Sequence, residues 1–324
     1  MKMTIQNNEQ QIAQPYYADD EIDLKELFLA LWQGKWIIIG TTIIAAAISV
    51  VYALSLPNIY KSEALLAPAE DGQSGGLSAL AGQFGGLASL AGVSLGGGSA
   101  DKTTIALELL KSRSFIGEFV QEHNLKPLIM AANGWDRENN TVLYDREVYN
   151  PETNKWLREV KAPKQPEPSL LEVHEEFVRK FLSVSQDKES GLVTVTIKHY
   201  SPVVAKELAD KLIKQLNNTM RANDIADAEN SIQYLNSALG ETSVADMQKV
   251  FYQLIEQQQQ TKMLASVHAE YALKTIDPAV VAENKAGPKR ALIVMLSVIL
   301  AGMLASLFVL IRYFSKKPSR EVVS

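Results

Sequence analysis

The chain contains no cysteine, so it cannot form disulfides, thiolate metal sites or a cysteine nucleophile. Histidine is scarce. His123, His174, His199 and His268 are far apart, and no H-E-x-x-H or similar ligand spacing links them. The spacing G-x-S-x-G occurs only inside a glycine-rich low-complexity stretch, at Gly72–Gly76 and Gly92–Gly96, which lacks the strand–turn–helix context of a nucleophile elbow, and there is no phosphate-binding loop ending in lysine and a hydroxyl residue. Glu172, Glu175 and Glu176 gather at the start of a helix, where they complement its dipole rather than form an acid–base pair. Excess positive charge is also missing. The net charge of -5 argues against a nucleic-acid binder. No catalytic constellation and no metal-ligand spacing emerges from these residues.

What is present is unevenly distributed. The averages, 47% hydrophobic and 21% charged, suit a soluble protein. Two charge-free apolar runs nevertheless stand near the ends, at 36–56 and 291–311. As a helix, 21 residues rise roughly 30 Å, the thickness of a bilayer core. The region before the first run is long and acidic (Asp19, Asp20, Glu21, Asp23, Glu26), and the run ends in Leu54-Ser55-Leu56-Pro57. Neither feature suits a cleaved signal peptide, so the run reads as an anchor. Two spans place both termini on one side. Lys25, Lys35, Arg312, Lys316, Lys317 and Arg320 flank the spans there, against Lys61, Lys285, Lys289 and Arg290 on the loop side. Counted this way, the termini are cytoplasmic and the loop is outside.

The loop begins with a strand at 60–67. A glycine-rich insertion at 72–99 follows, with Gly75-Gly76-Leu77 and Gly85-Gly86-Leu87 opening two ten-residue repeats. A helix is expected at 101–123, with Ile105, Leu109, Ile116, Phe119 and Val120 as its apolar face. The stretch 133–168 reads as irregular. Its Trp135, Tyr144, Tyr149 and Trp156 pack a loop onto the core in one reading and bind sugar in another. Segments 182–186 and 192–200 form a hairpin: Val193, Val195 and Ile197 alternate with polar residues, and Asp187 to Gly191 supply the turn.

Ser201-Pro202 then start a helix, with Ser as N-cap and Pro at the first helical position. Val204, Leu208, Leu212, Leu216, Met220, Ile232, Leu235 and Leu239 carry its stripe, and Gly240 is the expected C-terminal cap. A second helix at about 243–268 completes an antiparallel hairpin. With roughly 58 Å of length and little core of its own, it calls for side-by-side association with other copies. A strand at 271–276 returns to the base.

The expected fold class is α+β: two transmembrane helices flanking a periplasmic α/β base domain with a long protruding antiparallel helical hairpin. The expected order is 1–35 cytoplasmic, 36–56 span, 57–200 base with its 72–99 insertion, 201–270 hairpin, 271–290 return segment, 291–311 span and 312–324 cytoplasmic tail.

Several motifs occur together in one order. Trp135-Asp136, Tyr144-Asp145 and Trp156 precede Ser201-Pro202 with Ala205-Lys206. Phe251-Tyr252-x-Leu254-Ile255-Glu256 and Met263-Leu264-Ala265 follow in the hairpin. Asp277-Pro278-Ala279-Val280-Val281, Pro288-Lys289-Arg290-Ala291-Leu292 and Gly302 close the series. With these the chain resembles the polysaccharide co-polymerases, specifically the Wzz-type chain-length determinants of O-antigen synthesis. The resemblance implies a non-catalytic protein of the bacterial inner membrane, without cofactor. It implies a homo-oligomeric ring that works with the O-antigen polymerase and lipid-linked polysaccharide to set the modal chain length. An export or adaptor subunit of a capsule or exopolysaccharide system is the alternative; a periplasmic sensor is the third, weakened by the short tail after the second span. Pro278, Pro288, Lys289, Arg290 and Gly302 are the candidate assembly residues, Gly302 because a glycine in a membrane helix lets a partner helix approach closely.

Overall fold

The computed structural model describes residues 24–69 and 99–316. The glycine repeats at 75–92 lie outside the described residues. The chain begins α1 (Leu24–Gln33), α2 (Lys35–Ser55), β1 (Tyr60–Pro68), α3 (Ser99–Leu109), α4 (Arg113–Glu122) and α5 (Lys126–Met130). Four short strands follow: β2 (Ala132–Asp136), β3 (Thr141–Tyr144), β4 (Tyr149–Asn150) and β5 (Lys155–Trp156). Then come α6 (Leu170–Glu176), a π-helical turn (Phe177–Phe181), β6 (Leu182–Gln186) and β7 (Val193–His199). The chain continues with α7 (Pro202–Glu241), α8 (Ala245–Val267), β8 (Leu273–Asp277) and α9 (Arg290–Lys316). It divides into two units, Met1–Ser55 with Lys289–Ser324, and Leu56–Pro288.

In the first unit α2 and α9 are long and apolar enough to cross a membrane, and both leave most of their apolar surface exposed. A soluble core helix would bury it; lipid is the solvent these side chains suit. Lipid-exposed hydroxyls bond back onto their own helix, as Thr41 does to the carbonyl of Ile37 at 2.9 Å. α9 runs past the expected end at 311 to Lys316; Arg312-Tyr313-Phe314 continues the helix, and the next proline is Pro318.

The second unit is built on an antiparallel sheet in the order β6-β7-β1-β8. The alternation of β7 fixes its register, with Val193, Val195 and Ile197 fully buried. β1 pairs with β7 from Tyr60↔His199 to Leu66↔Val193, and on its other side with β8. α4 and the first half of α7 cover the core, where Phe115, Ile116, Phe119, Phe177, Leu66, Leu212 and Leu216 are almost wholly buried.

The expected single helix at 101–123 is two. Ser112 caps α4 by accepting from the Phe115 amide at 3.3 Å, and this extended residue breaks the run. Ile105, assigned to the apolar face, is exposed, and Ala106 and Leu110 are buried instead. The stretch at 133–168 is not uniformly irregular: it holds two ribbons, β2-β3 and β4-β5. The three strand hairpins among the described residues share one turn chemistry. Asp136, Asn150 and Asp187 each accept two backbone amides two and three residues on. The residue that follows has positive φ: Asn140, Asn154 and Gly191. Among the ribbon aromatics Tyr149 meets Trp156 at 4.8 Å and Tyr144 at 5.8 Å, while Trp135 packs edge-on against Tyr60 of β1 at 5.6 Å; of the four only Tyr149 is buried, and none joins the hydrophobic core.

Candidate assembly surfaces on the hairpin, the return segment and the spans

The capped start at Ser201 launches α7 for 40 residues, about 60 Å. Ser201 accepts from the Val204 amide at 3.3 Å, and its own amide donates to His199 Nδ1 at 3.0 Å. The His199 ring therefore carries its proton on Nε2, which donates to the Leu128 carbonyl at 3.3 Å. Burial pushes this histidine down to about 4. Gly240 does not cap α7; the helix passes through it to Glu241, and extended Thr242 ends it with its carbonyl held by the Gln248 side chain.

Along α7 the buried residues run from Pro202 to Met220, then only Ala228; along α8 only Ala265 is buried. Half-buried Ile232, Leu235 and Leu239 of α7 and Leu254, Ile255 and Leu264 of α8 accompany these two small residues, and a surface Glu229–Lys262 ion pair at 2.7 Å bridges the two helices. Further out Tyr234, Val244, Met247 and Tyr252 stand exposed, so the expected Ile232, Leu235 and Leu239 stripe covers no closed core.

Two polar devices bind the hairpin's return to the base. Asn217, buried inside α7, accepts from the amides of Ala272 and Leu273 at 2.7 and 3.0 Å and donates to the Leu273 carbonyl at 3.0 Å. It gives the start of β8 the partner a neighbouring strand would give. Tyr271 donates its hydroxyl to Asp224 beside Lys102, and burial together with that carboxylate pushes its hydroxyl up to about 12. In the base, Glu172 completes a capping box with Ser169 and pairs with Arg158, which holds its carboxyl down at about 2. It is a structural group, as its place at the helix start suggested.

The five candidate residues do not form one site. Pro278 ends β8 and is exposed, while Ala279 beside it is buried and the Val280 carbonyl accepts from the Ser62 hydroxyl at 2.7 Å. That anchorage holds the Ile276, Val280 and Val281 side chains outward. Pro288 follows Gly287, whose carbonyl accepts from the Ile59 amide at 2.9 Å, so the two ends of the second unit are tied together. Lys289 accepts the first amides of α9 from Leu292 and Ile293, and Arg290 opens that helix.

Gly302 faces α2 of its own chain. A Cβ there would meet Thr42 Oγ1 at 3.9 Å, ordinary contact. The close approach is at Gly34, unremarked in the sequence, where an added Cβ would lie 2.2 Å from Val309 Cγ1. The signal for it was a lone glycine between two apolar helical stretches.

Two family models match this chain. One is Wzz, the chain length determinant protein, over residues 20–123. The other is GNVR, described as a "G-rich domain on putative tyrosine kinase", over residues 241–314. One takes in the first span and the strand that leaves it, the other the outer hairpin helix, the return strand and most of the second span. Together they mark a chain that carries a chain-length-determinant domain near its start and a GNVR domain near its end. Over its first third the chain is similar to the Wzz chain length determinants.

A solved full-length bacterial polysaccharide co-polymerase is similar over 92% of this chain and 100% of its own, at 14% identity and TM-score 0.37. A fragment of WzzB, a polysaccharide co-polymerase from Salmonella Typhimurium, is similar over 71% of this chain and 100% of its own, at 13% identity and TM-score 0.30. No curated protein matches the chain.

Proposed function

We propose that this protein regulates the modal chain length of lipopolysaccharide O-antigen as a homo-oligomer in the bacterial inner membrane. The termini are cytoplasmic and the second unit is periplasmic. The observation that carries the reading is the hairpin. Its outer half exposes Tyr234, Tyr252 and Met247 around a helix pair with almost no buried residue, and neighbouring copies would cover that surface. Such an assembly would present a repeated surface to the growing lipid-linked polysaccharide beside its polymerase. It needs no catalytic group and no cofactor. Deleting the gene and resolving the lipopolysaccharide by electrophoresis tests it. The modal cluster of the ladder should broaden or shift, and complementation should restore it. An unchanged ladder refutes it.

A second reading, an export or adaptor subunit of a capsule or exopolysaccharide system, is favoured by the description of the second domain, which names a tyrosine kinase. Recovery of a kinase with the purified protein, together with loss of capsule rather than a changed ladder, would select it.

A further inference from the structure

The segment before the first span was expected to be cytoplasmic up to residue 35. The structure makes Leu24–Gln33 of it a helix of another kind. From Leu27 to Trp32 α1 carries only apolar side chains. One face is used within the unit: Ala30 is 1% exposed, and Gly34 meets Val309 of α9. The opposite face is bare. Phe28, Leu29 and Trp32 are 64, 52 and 58% exposed, and Trp36 at the head of α2 extends the same stripe. Lys25, Glu26 and Gln33 flank this stretch within α1, and a stretch that is apolar all round belongs in a protein core or in lipid.

Length decides how much of it the acyl core can hold. Leu24–Gln33 and Lys35–Ser55 run nearly end to end, with Gly34 accepting from both Ile37 and Ile38 and donating to Ala30. Thirty-odd residues of helix span about 48 Å, against a core of about 30 Å and a whole bilayer of about 40–45 Å. The excess is the length of α1, and the charges mark the border. Lys35 lies 4.4 Å from the centre of the Trp32 ring, which itself stacks on Phe28 at 6.0 Å. On α9, Arg312 and Tyr313 line the same notch as Ala30, Gln33 and Gly34. Two cations with aromatic rings beside them is the composition of a headgroup layer, where ring bodies meet acyl chains and charged ends reach phosphate.

The geometry points to α1 as a lipid-binding element. Its Phe28–Leu29–Trp32 face lies in the headgroup layer of one leaflet, and Lys35 and Arg312, about one to two helical turns nearer the acyl core, mark its inner border. The paired spans thus contact lipid for two helical turns beyond the expected start at residue 36. This conclusion is independent of the polysaccharide reading.

Because the chain has no cysteine, one introduced thiol reports one position. Phe28→Cys, Leu29→Cys, Ile43→Cys in the span and Lys111→Cys on the second unit are each labelled with a nitroxide. The full-length protein is reconstituted in phosphatidylethanolamine–phosphatidylglycerol vesicles, and collision with oxygen and with a water-soluble nickel chelate is measured. The oxygen-to-nickel ratio at 28 and 29 should fall between that at 43 and that at 111 and stand clearly above the latter. A ratio at 28 and 29 equal to that at 111 places the face in water and overturns the proposal. Low collision with both reagents means protein covers the face, and overturns it equally. Two labelled positions keep the test valid if one substitution perturbs the helix.

Discussion

The two halves of α7 share one helix and one backbone geometry but live in different surroundings. From Pro202 to Met220 the helix lies on the sheet and buries Leu208, Leu212, Leu216 and Met220. From Arg221 to Glu241 it buries one alanine and, past the Asp224 contacts with Tyr271 and Lys102, faces α8. The inner half is held by core packing, the outer half by pairing with one thin neighbour. Helical propensity alone leaves a helix marginal, and tertiary packing supplies most of its stability. The outer half therefore has the surface of an element that is completed by something else.

The largest test of this contrast is Leu216→Ala, which should destabilise the fold by about 3.5 kcal/mol, since a wholly buried leucine leaves both lost transfer energy and a cavity. Urea denaturation of the detergent-solubilised protein measures it. Leu235→Ala in the outer half should cost well under half as much. Equal losses would erase the distinction.

Next is pH. His199 sits beside the cap that starts the inner half, and its folded value near 4 lies below the ordinary 6.5. The unfolded chain binds the proton first, so the histidine's contribution is whole above pH 6.5 and is lost as pH falls through 4. That linkage is worth about 3 kcal/mol. Stability of the wild type should fall over this window more steeply than that of His199→Gln, with the difference confined to it. Parallel profiles would refute the burial argument.

Much of this architecture could be read from the residues, and the failures have physical causes. The spans, the β6-β7 hairpin and the start of α7 were legible because each rests on local chemistry: an uninterrupted apolar run, a strict alternation, a Ser-Pro cap. Ser112 escaped notice because Ile105 to Val120 keeps a helical period across the break, and only the cap's hydrogen bond to Phe115 reveals it. The ribbons at 132–156 were missed because their signal is a turn rule, Asx followed four residues later by Asn, and their strands are as short as two residues. Gly240 misled because a glycine permits a left-handed cap without requiring one. Of the candidate residues, Gly302 was sought for close approach that Gly34 provides. Which glycine faces a bulky partner depends on how two helices pair, and one helix's sequence does not carry that.

The third test concerns the joint between base and hairpin. Asn217→Ala removes one acceptor and one donor from a site where the Ala272 and Leu273 amides and the Leu273 carbonyl have been withdrawn from water. The cost should be about 2 kcal/mol, and hydrogen exchange should accelerate at Ala272 and Leu273 before it does in β7. Asn217→Asp should retain the two amide bonds and lose the third. Unchanged exchange at both amides would mean another group holds the return strand.

The smallest effect on stability is the most informative about the outer half. Tyr234 and Tyr252 are 74 and 61% exposed, so replacing both by alanine removes little that the single chain has buried. The stability change should stay within about 0.5 kcal/mol. If copies pack side by side through the hairpins, the same two rings lie in the contact, where aromatic side chains dominate binding energy. Analytical ultracentrifugation in detergent should then show the double variant shifting toward smaller species at concentrations where the wild type stays assembled. A variant that keeps both its stability and its assembly would place the contact between copies elsewhere, and would leave the bare outer helices to the polysaccharide or its polymerase.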